Sequence, residues 1–407
     1  MTNRTEAEFQ KPTSLGKRQL RILHLIHNLD REGAQVVLKN IVTSTESNRS
    51  NHVVCAWKRG GPIQDDLEKL GVKVFVASQI AKTTRKKAIL SAIRQIIISQ
   101  HIDVIHAHMS DSLFLAAMLT NPIINGSFRL TGGRLNTPVV ATHHSNKLTP
   151  STGLEAFFWY ILLFWSARAA SKHVAISVSV YQQLKSKLLL VDNKMSVVNN
   201  GVPIPSAEDI EMAEVAAQNN SKVNIDGSPI LVLVGRLVAL KGIKQLISAS
   251  ALLLESFPKL NIYIVGEGPL RAELEGQINN LGLLDHVHLV GASDNIPMWL
   301  STADLFVSTS HYEGIPMGIL EAMAWKVPVV ASNVPGSRDI VQEQSTGLLY
   351  PLHDVNGLVE KIIWGLNNRH QLRQYAETAF DIASNKFSTL TMNNSYQDVY
   401  IEVLNHE

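Results

Sequence analysis

The segment Glu313-Gly314-Ile315-Pro316-Met317-Gly318-Ile319-Leu320-Glu321 sets two carboxylates around a glycine-proline turn and an apolar run. Pro316 suits the first turn of a helix, where its missing N–H is no loss, and Gly314 lets backbone approach a ligand closely. Unpaired N–H groups at such a helix start favour a phosphate or sugar hydroxyls. Glu321, just over one turn inside, would point a carboxylate at hydroxyls such as those of a ribose. A negative group beside a phosphate site must be offset by cations, and Arg236 and Lys241 are the candidates. Arginine supplies a bidentate fork and lysine a compact charge, both suited to a diphosphate.

These residues need elements to hold them. Short runs rich in Ile and Val recur at 22–26, 53–57, 72–76, 104–106, 139–142, 174–176 and 196–198, and again at 230–234, 261–265, 286–290, 305–307, 327–331 and 347–350. Such runs fit strands buried on both faces of a parallel sheet. Intervening segments such as 82–100, 244–256 and 315–325 are long enough for the crossover helices that parallel neighbours require. Two doubly wound α/β domains follow, 1–202 and 203–387, joined through Asn199-Asn200-Gly201-Val202-Pro203-Ile204-Pro205. A tail over 388–407 reads as a helix packing back toward the first domain.

Ligands of open parallel sheets bind beyond the carboxyl ends of the strands. The polar residues fall there: His27, Asn28 and the Gly33 loop after the first run, His106 and His108 after the fourth, His143 and His144 after the fifth, Ser177 after the sixth. In the second half come Gly235-Arg236, then Gly266-Glu267-Gly268-Pro269, then His311 and Glu313. Two such rims facing each other would form an interdomain cleft.

The formal net charge is only +2, but residues 1–200 hold 25 basic and 12 acidic side chains, a net of +13, and residues 201–407 hold 12 and 23, a net of −11. A single cysteine, Cys55, excludes an intrachain disulfide and fits a reducing compartment. The first twenty residues have no apolar run of the secretory type, and the longest apolar stretch, 154–165, is too short to span a bilayer unaided. The expectation is a cytoplasmic protein, peripheral to a membrane at most.

The segments Val234-Gly235-Arg236-Leu237-Val238-Ala239-Leu240-Lys241-Gly242, Gly266-Glu267-Gly268-Pro269 and Glu313 to Glu321 with Ala322-Met323-Ala324 together resemble the GT-B glycosyltransferases of family 4. Gly33-Ala34-Gln35 is similar to that family's glycine loop, Thr142-His143-His144 to its Thr-x-His, and Asn199-Asn200-Gly201-Val202 to its link motif. The resemblance implies a retaining transferase that needs no metal or cofactor. Its substrates would be a nucleotide-diphosphate sugar, UDP-linked in the first instance, and a glycan or lipid-linked acceptor of cell-envelope, exopolysaccharide or lipopolysaccharide synthesis. By position, Arg236 and Lys241 would hold the diphosphate and Glu321 the ribose. Glu313 and the backbone of Gly314, Ile315 and Pro316 would hold the donor sugar, with Gly266 also on the donor side. His144 would lie near the anomeric centre, and Gly33 would shape the phosphate and acceptor side. The chain departs from the family pattern at Glu32, Gln35, Asn199 and Asp339, where glycine, Glu, Pro and Glu are common. A sugar-nucleotide 2-epimerase shares the fold, and a non-catalytic nucleotide-binding partner is the alternative outside enzymes.

Plainer readings stand beside these. His106, His108, His143 and His144 could converge on a metal, but no cysteine and only Asp111 lies nearby, so no metal is expected. His143 should point away from its neighbour, because side chains alternate along a strand. Gly266-Glu267-Gly268 lacks the third glycine of a dinucleotide loop, Arg271 standing there. Gly33 could be a turn residue. The aromatic run 157–165 is apolar nearly all round a helix, which favours core burial, with a membrane surface as the alternative. Lys82, Arg85, Lys86 and Lys87 could be a solvated face or an attraction to anionic lipid. Nucleic acid is not expected, because the basic residues are not interleaved with stacking aromatics.

Overall fold

A computed structural model describes residues 19–43, 50–121, 134–144, 154–220 and 227–405, with side chains from 160 onward in the helix Leu154–Ala167. The segment read for a secretory signal lies largely outside the described residues. The strands are β1 (Leu20–Ile26), β2 (Ser50–Ala56), β3 (Lys73–Val76), β4 (Val104–His108), β5 (Val139–His143), β6 (Lys172–Ala175) and β7 (Met195–Val197), then β8 (Ile230–Val234), β9 (Asn261–Val265), β10 (Val287–Gly291), β11 (Leu305–Ser308), β12 (Val329–Ser332) and β13 (Leu348–Tyr350). They form two sheets, ordered β3-β2-β1-β4-β5-β6-β7 and β10-β9-β8-β11-β12-β13, with every pairing parallel. Each anticipated run forms a strand, displaced by at most a few residues. β12 starts at Val329 because Pro328 has no N–H to give the ladder.

In each sheet the order reverses once, between β1 and β4 and between β8 and β11. Successive crossovers leave in opposite directions there, so the loops part and open a crevice at the carboxyl ends. The loops after β1, β4, β8 and β11 carry most of the residues singled out above.

The expected helix over 244–256 forms as Ile243–Ser256, while the other two are shorter than their apolar pattern. Lys82 has φ 50°, a left-handed turn residue, so the long helix between β3 and β4 begins only at Lys86 (Lys86–Ser99). Lys82, Arg85, Lys86 and Lys87 are all exposed. Pro316 sits just before its helix (Met317–Ala324) rather than in its first turn. The aromatic helix Leu154–Ala167 is not buried all round: Leu163 and Ala167 enter the core, while Leu162 is 37% and Trp165 53% exposed.

The chain passes between the sheets twice at one place. Val202 N–H donates to Phe387 O at 2.8 Å, and Thr389 N–H donates back to Val202 O at 3.0 Å. The return segment then forms the helix Thr389–Asn405, whose Met392, Tyr396, Val399, Tyr400 and Val403 pack with Ile22, Val54, Val104 and Val140 on one face of the first sheet. Lys172 Nζ to Glu402 Oε1 (2.5 Å) and Ser50 Oγ to Gln397 Oε1 (2.8 Å) tie its far end. Gly201 has no room for a side chain, since a Cβ would lie 2.5 Å from Ser388 O. Gly201→Ala is therefore expected to destabilise the fold by about 1–3 kcal/mol through overpacking; a thermal midpoint equal to that of the natural chain would refute this.

Candidate active site

The site is built around Lys241 and Glu313. Lys241 closes the short turn Ala239–Lys241 after β8, and its carbonyl accepts from Thr309 Oγ1 at 2.8 Å, fixing that turn to the end of β11. Its ammonium donates to Glu313 Oε1 at 2.6 Å, and Ser310 Oγ donates to the same oxygen at 2.7 Å. The pair is fairly enclosed, the two side chains being 27% and 13% exposed. With Gly318 and Ile319 they line a cavity of about 10 Å³, room for one water. Thr309 and Ser310 went unnoticed in the sequence. Their signal was the hydroxyl run Ser308-Thr309-Ser310 at the carboxyl end of a buried strand.

Arg236 does not join this pair. It crosses to the first domain and donates to Glu32 Oε1 at 2.8 Å, both groups being about half exposed. Glu32 immediately precedes Gly33, which opens the helix Gly33–Thr43. Among the described residues nothing lies within 4 Å of a Cβ at Gly33. Gln35 donates to Asn28 Oδ1 at 2.6 Å, which folds this loop back on itself.

Two glycines are needed for close contact within the protein. A Cβ on Gly314 would lie 2.8 Å from His144 O, so the backbone there runs close to the backbone of the first domain. Gly266, at φ 148°, would place a Cβ 1.9 Å from Gly235 O. It lets the loops after β8 and β9 touch. Ile315 is buried, and the amides of Ile319 and Leu320 already donate to Pro316 O at 3.1 and 3.3 Å. Ser179 donates to Asp339 Oδ1 at 2.9 Å, a further contact between the domains.

Glu321 lies on the helix Met317–Ala324, partly buried. It lines a cavity of about 500 Å³ between the domains, with Val36 and Asn40 on one side, the link Pro203-Ile204-Pro205 behind, and Asn295, Pro297 and Trp325 opposite. Burial raises its carboxyl from 4.5 to about 7, against the pull of nearby Lys241.

His144 follows β5 at the cleft rim, its Nε2 hydrogen-bonded to His108 Nδ1 at 3.0 Å. Burial lowers it to about 4, so it is neutral at physiological pH. His106 and His108 are wholly buried on the same sheet face. His143 points the other way and pairs with His173 at 3.0 Å. Among the described residues the nearest approach to a metal-binding group is His24, His106 and His108, with ligand atoms within 4.8 Å of one another. Every one of their ring nitrogens is already engaged, by His52, His108, Tyr400, Thr142, His24 and His144.

The shift at Glu321 has a consequence for stability. The folded protein holds that proton more tightly than the unfolded chain, so the stability it supplies is full below about pH 4.5 and is lost as pH rises to about 7. Glu321→Gln keeps the neutral shape at every pH. It should gain on the natural chain by roughly 1–2 kcal/mol between about pH 5 and pH 8 in denaturant unfolding; a pH-independent difference would show that the carboxyl is not perturbed.

Comparison with known proteins agrees with this architecture. Residues 20–204 match the family described as Glycosyltransferase Family 4, and residues 216–381 match Glycosyl transferases group 1. The chain is 28% identical over 198 residues to the alpha-D-kanosaminyltransferase of Streptomyces kanamyceticus, covering 48% of this chain and about half (51%) of that protein. It is 23% identical over 364 residues to the UDP-Gal:alpha-D-GlcNAc-diphosphoundecaprenol alpha-1,3-galactosyltransferase of Escherichia coli, covering 87% of this chain and 89% of that one. Anabaena Alr3699/HepE, solved in complex with UDP-glucose, superposes with a TM-score of 0.75 at 23% identity over 94% of this chain and 100% of that one. Two facing parallel-sheet domains, matched along nearly their whole length, place this chain among the group 1, family 4 glycosyltransferases of GT-B fold.

Proposed function

We propose that the protein transfers a sugar from a UDP-sugar, with retention of anomeric configuration and without a metal, to a glycan or lipid-linked acceptor in cell-envelope, exopolysaccharide or lipopolysaccharide synthesis. The observation that carries this is the Lys241–Glu313 pair at the start of the helix Met317–Ala324, with Glu321 on the same helix facing a cavity large enough for a nucleoside. The Escherichia coli relative, named for a UDP-galactose donor and a lipid-diphosphate acceptor, and the UDP-glucose complex of the Anabaena protein support the choice of base and acceptor class.

In this reading residues 203–387 bind the donor, residues 1–202 face the acceptor, and the helix Thr389–Asn405 braces the first domain. The diphosphate takes Arg236 from Glu32 and lies against Lys241. As the glycosidic bond breaks, negative charge grows on the departing phosphate, and cations already in place lower the barrier. Glu313, with the backbone of Gly314, Ile315 and Pro316, holds the donor sugar. Glu321 takes the ribose hydroxyls, and Gly266 shapes the donor side. His144 stands beside the anomeric carbon as a neutral group, and Gly33 shapes the phosphate and acceptor side.

A panel of UDP-, GDP- and ADP-sugars tests the donor. A UDP-sugar should raise the thermal midpoint by mass action, and no response to any of them would overturn the reading. Arg236→Ala and Lys241→Ala should each lower turnover about 100-fold or more with folding intact, the scale of losing a group that stabilises transition-state charge. New product from the donor alone, seen by NMR, would instead indicate the epimerase; binding without transfer would indicate the non-catalytic partner.

Attachment to an anionic membrane surface belongs to the same proposal. Among the described residues no helix is long and apolar enough to cross a membrane. Support comes from the excess of basic residues in the first half, the exposed Leu162 and Trp165, and Arg168 lying 3.4 Å over the Phe164 ring. The protein should co-sediment with anionic vesicles at low salt and be released as salt rises; equal recovery with and without vesicles would count against it.

A further inference from the structure

Four imidazoles run in an unbroken hydrogen-bonded line across the first sheet. His52 Nδ1 is 2.9 Å from His24 Nε2, His24 Nδ1 is 3.0 Å from His108 Nε2, and His108 Nδ1 is 3.0 Å from His144 Nε2. Strand register puts them on one face. His24 pairs with His106 across β1 and β4, His108 lies two residues further along β4, and His52 pairs with Ile22, two residues before His24. The line crosses the β1/β4 switch point and ends at the cleft rim, where His144 O contacts Gly314.

Both ends of this line are unsatisfied. His144 Nδ1 and His52 Nε2 are buried with no hydrogen-bond partner among the described residues. A buried polar atom left unpaired calls for a reason. A neutral imidazole carries one donor and one acceptor, so the line has only two self-consistent arrangements. In the first, every ring is protonated on Nδ1, and His144 offers an N–H at its outer nitrogen. In the second, every ring is protonated on Nε2, and His144 offers a lone pair there while His52 carries the outer N–H.

We propose that His52, His24 and His108 are positioning residues that decide which nitrogen of His144 bears the proton, and that the line passes from one arrangement to the other by proton relay. In that passage a proton enters at His52 Nε2, each Nδ1 proton of His52, His24 and His108 moves to the next ring's Nε2, and the proton on His144 Nδ1 leaves. Four N–H bonds form and four break, with water or a ligand hydroxyl as the only partners needed. No ring is charged before or after. The reverse passage lets His144 Nδ1 take a proton from a hydroxyl and release one at His52.

The surroundings favour neutral rings throughout. Burial holds His24 and His108 well below the ordinary histidine value and lowers His52 to about 4. The groups facing them are His106, itself held neutral by burial, and the phenols of Tyr396 and Tyr400, both raised by burial. His106 stands beside the line, 4.1 Å from the His108 ring, but is tied to Tyr400 OH and Thr142 Oγ1, each at 2.7 Å. It is a brace rather than a link.

The effect on catalysis rests on the glycosyl transfer proposed above; the effect on His144 does not. Nitrogen-15 NMR of the ligand-free protein reads the tautomer of each ring, with the His143–His173 pair on the other face as internal reference. His52→Phe, at the half-buried end of the line, and His24→Gln, which keeps a donor and an acceptor but cannot relay, are compared with the natural chain after matching secondary structure by circular dichroism. Both should change the His144 nitrogen shifts while leaving His143 and His173 unmoved. Both should also lower kcat about tenfold or more with donor KM unchanged, a part of the roughly 10²–10⁴-fold that a general acid or base supplies, since these residues act through His144. His144 shifts unaltered in both folded variants would overturn the proposal. Altered shifts with full kcat would overturn its catalytic half, and altered shifts in the variants of a natural chain that itself transfers no sugar would instead count against the function proposed above.

Discussion

The two passages of the chain between its sheets meet at a single contact, and the cleft depends on it. Gly201 and Val202 run beside Ser388, close enough that a methyl group would not fit. Asn40, on the helix that follows Gly33, donates to Gly201 O at 3.0 Å and so ties the glycine loop to the crossing. With this corner fixed, the carboxyl ends of both sheets face each other. His144 then meets Gly314, Ser179 meets Asp339, and Arg236 meets Glu32 across the gap. The cavity beside Glu321 has the link itself as its back wall.

Charge is arranged at two levels that do not coincide. Along the sequence the first half is basic and the second acidic, and the Arg31–Asp294 pair joins them in that sense. Arg236 and Glu32 join them in the opposite sense, a cation of the acidic half meeting an anion of the basic half. Exposed pairs of this kind contribute little to stability, so this one can separate at small cost. Lys241 and Glu313 are more enclosed, and Ser310 shares the load on the carboxylate. One cation of the site is thus held in place by its own domain and the other is held by the opposite one.

Much of the fold was legible because buried parallel strands leave an unmistakable run of branched apolar residues, and the polar residues that follow them mark the cleft. The Glu313–Glu321 segment pointed to Glu313, Glu321 and Lys241 as candidates, and the family resemblance to His144. The interior of a strand was harder to read. His24 and His52 lie inside β1 and β2, and only the register between strands brings them into line with His108. Spacing along one strand cannot reveal a neighbour on another. Gly314 and Gly266 were recognised as sites of close approach, but their partners are protein carbonyls far away in sequence, which pattern alone cannot name. The aromatic helix misled for the opposite reason: composition suggested a face on every side, whereas burial depends on which sides have neighbours.

The helix Thr389–Asn405 gives the protein an order of assembly. Its tyrosines complete the inner face of the first sheet, where Tyr400 reaches His106 and Tyr396 reaches Thr142 at 3.1 Å. Those residues are synthesised after the whole of the second sheet. Until then the part of the first sheet's face beside the helices Gly33–Thr43 and Pro62–Lys69 has no cover of its own, while the second sheet has all its own strands to hand. Vectorial synthesis usually lets the amino-terminal domain fold first. Here the domain made first receives its last core residues from the end of the chain.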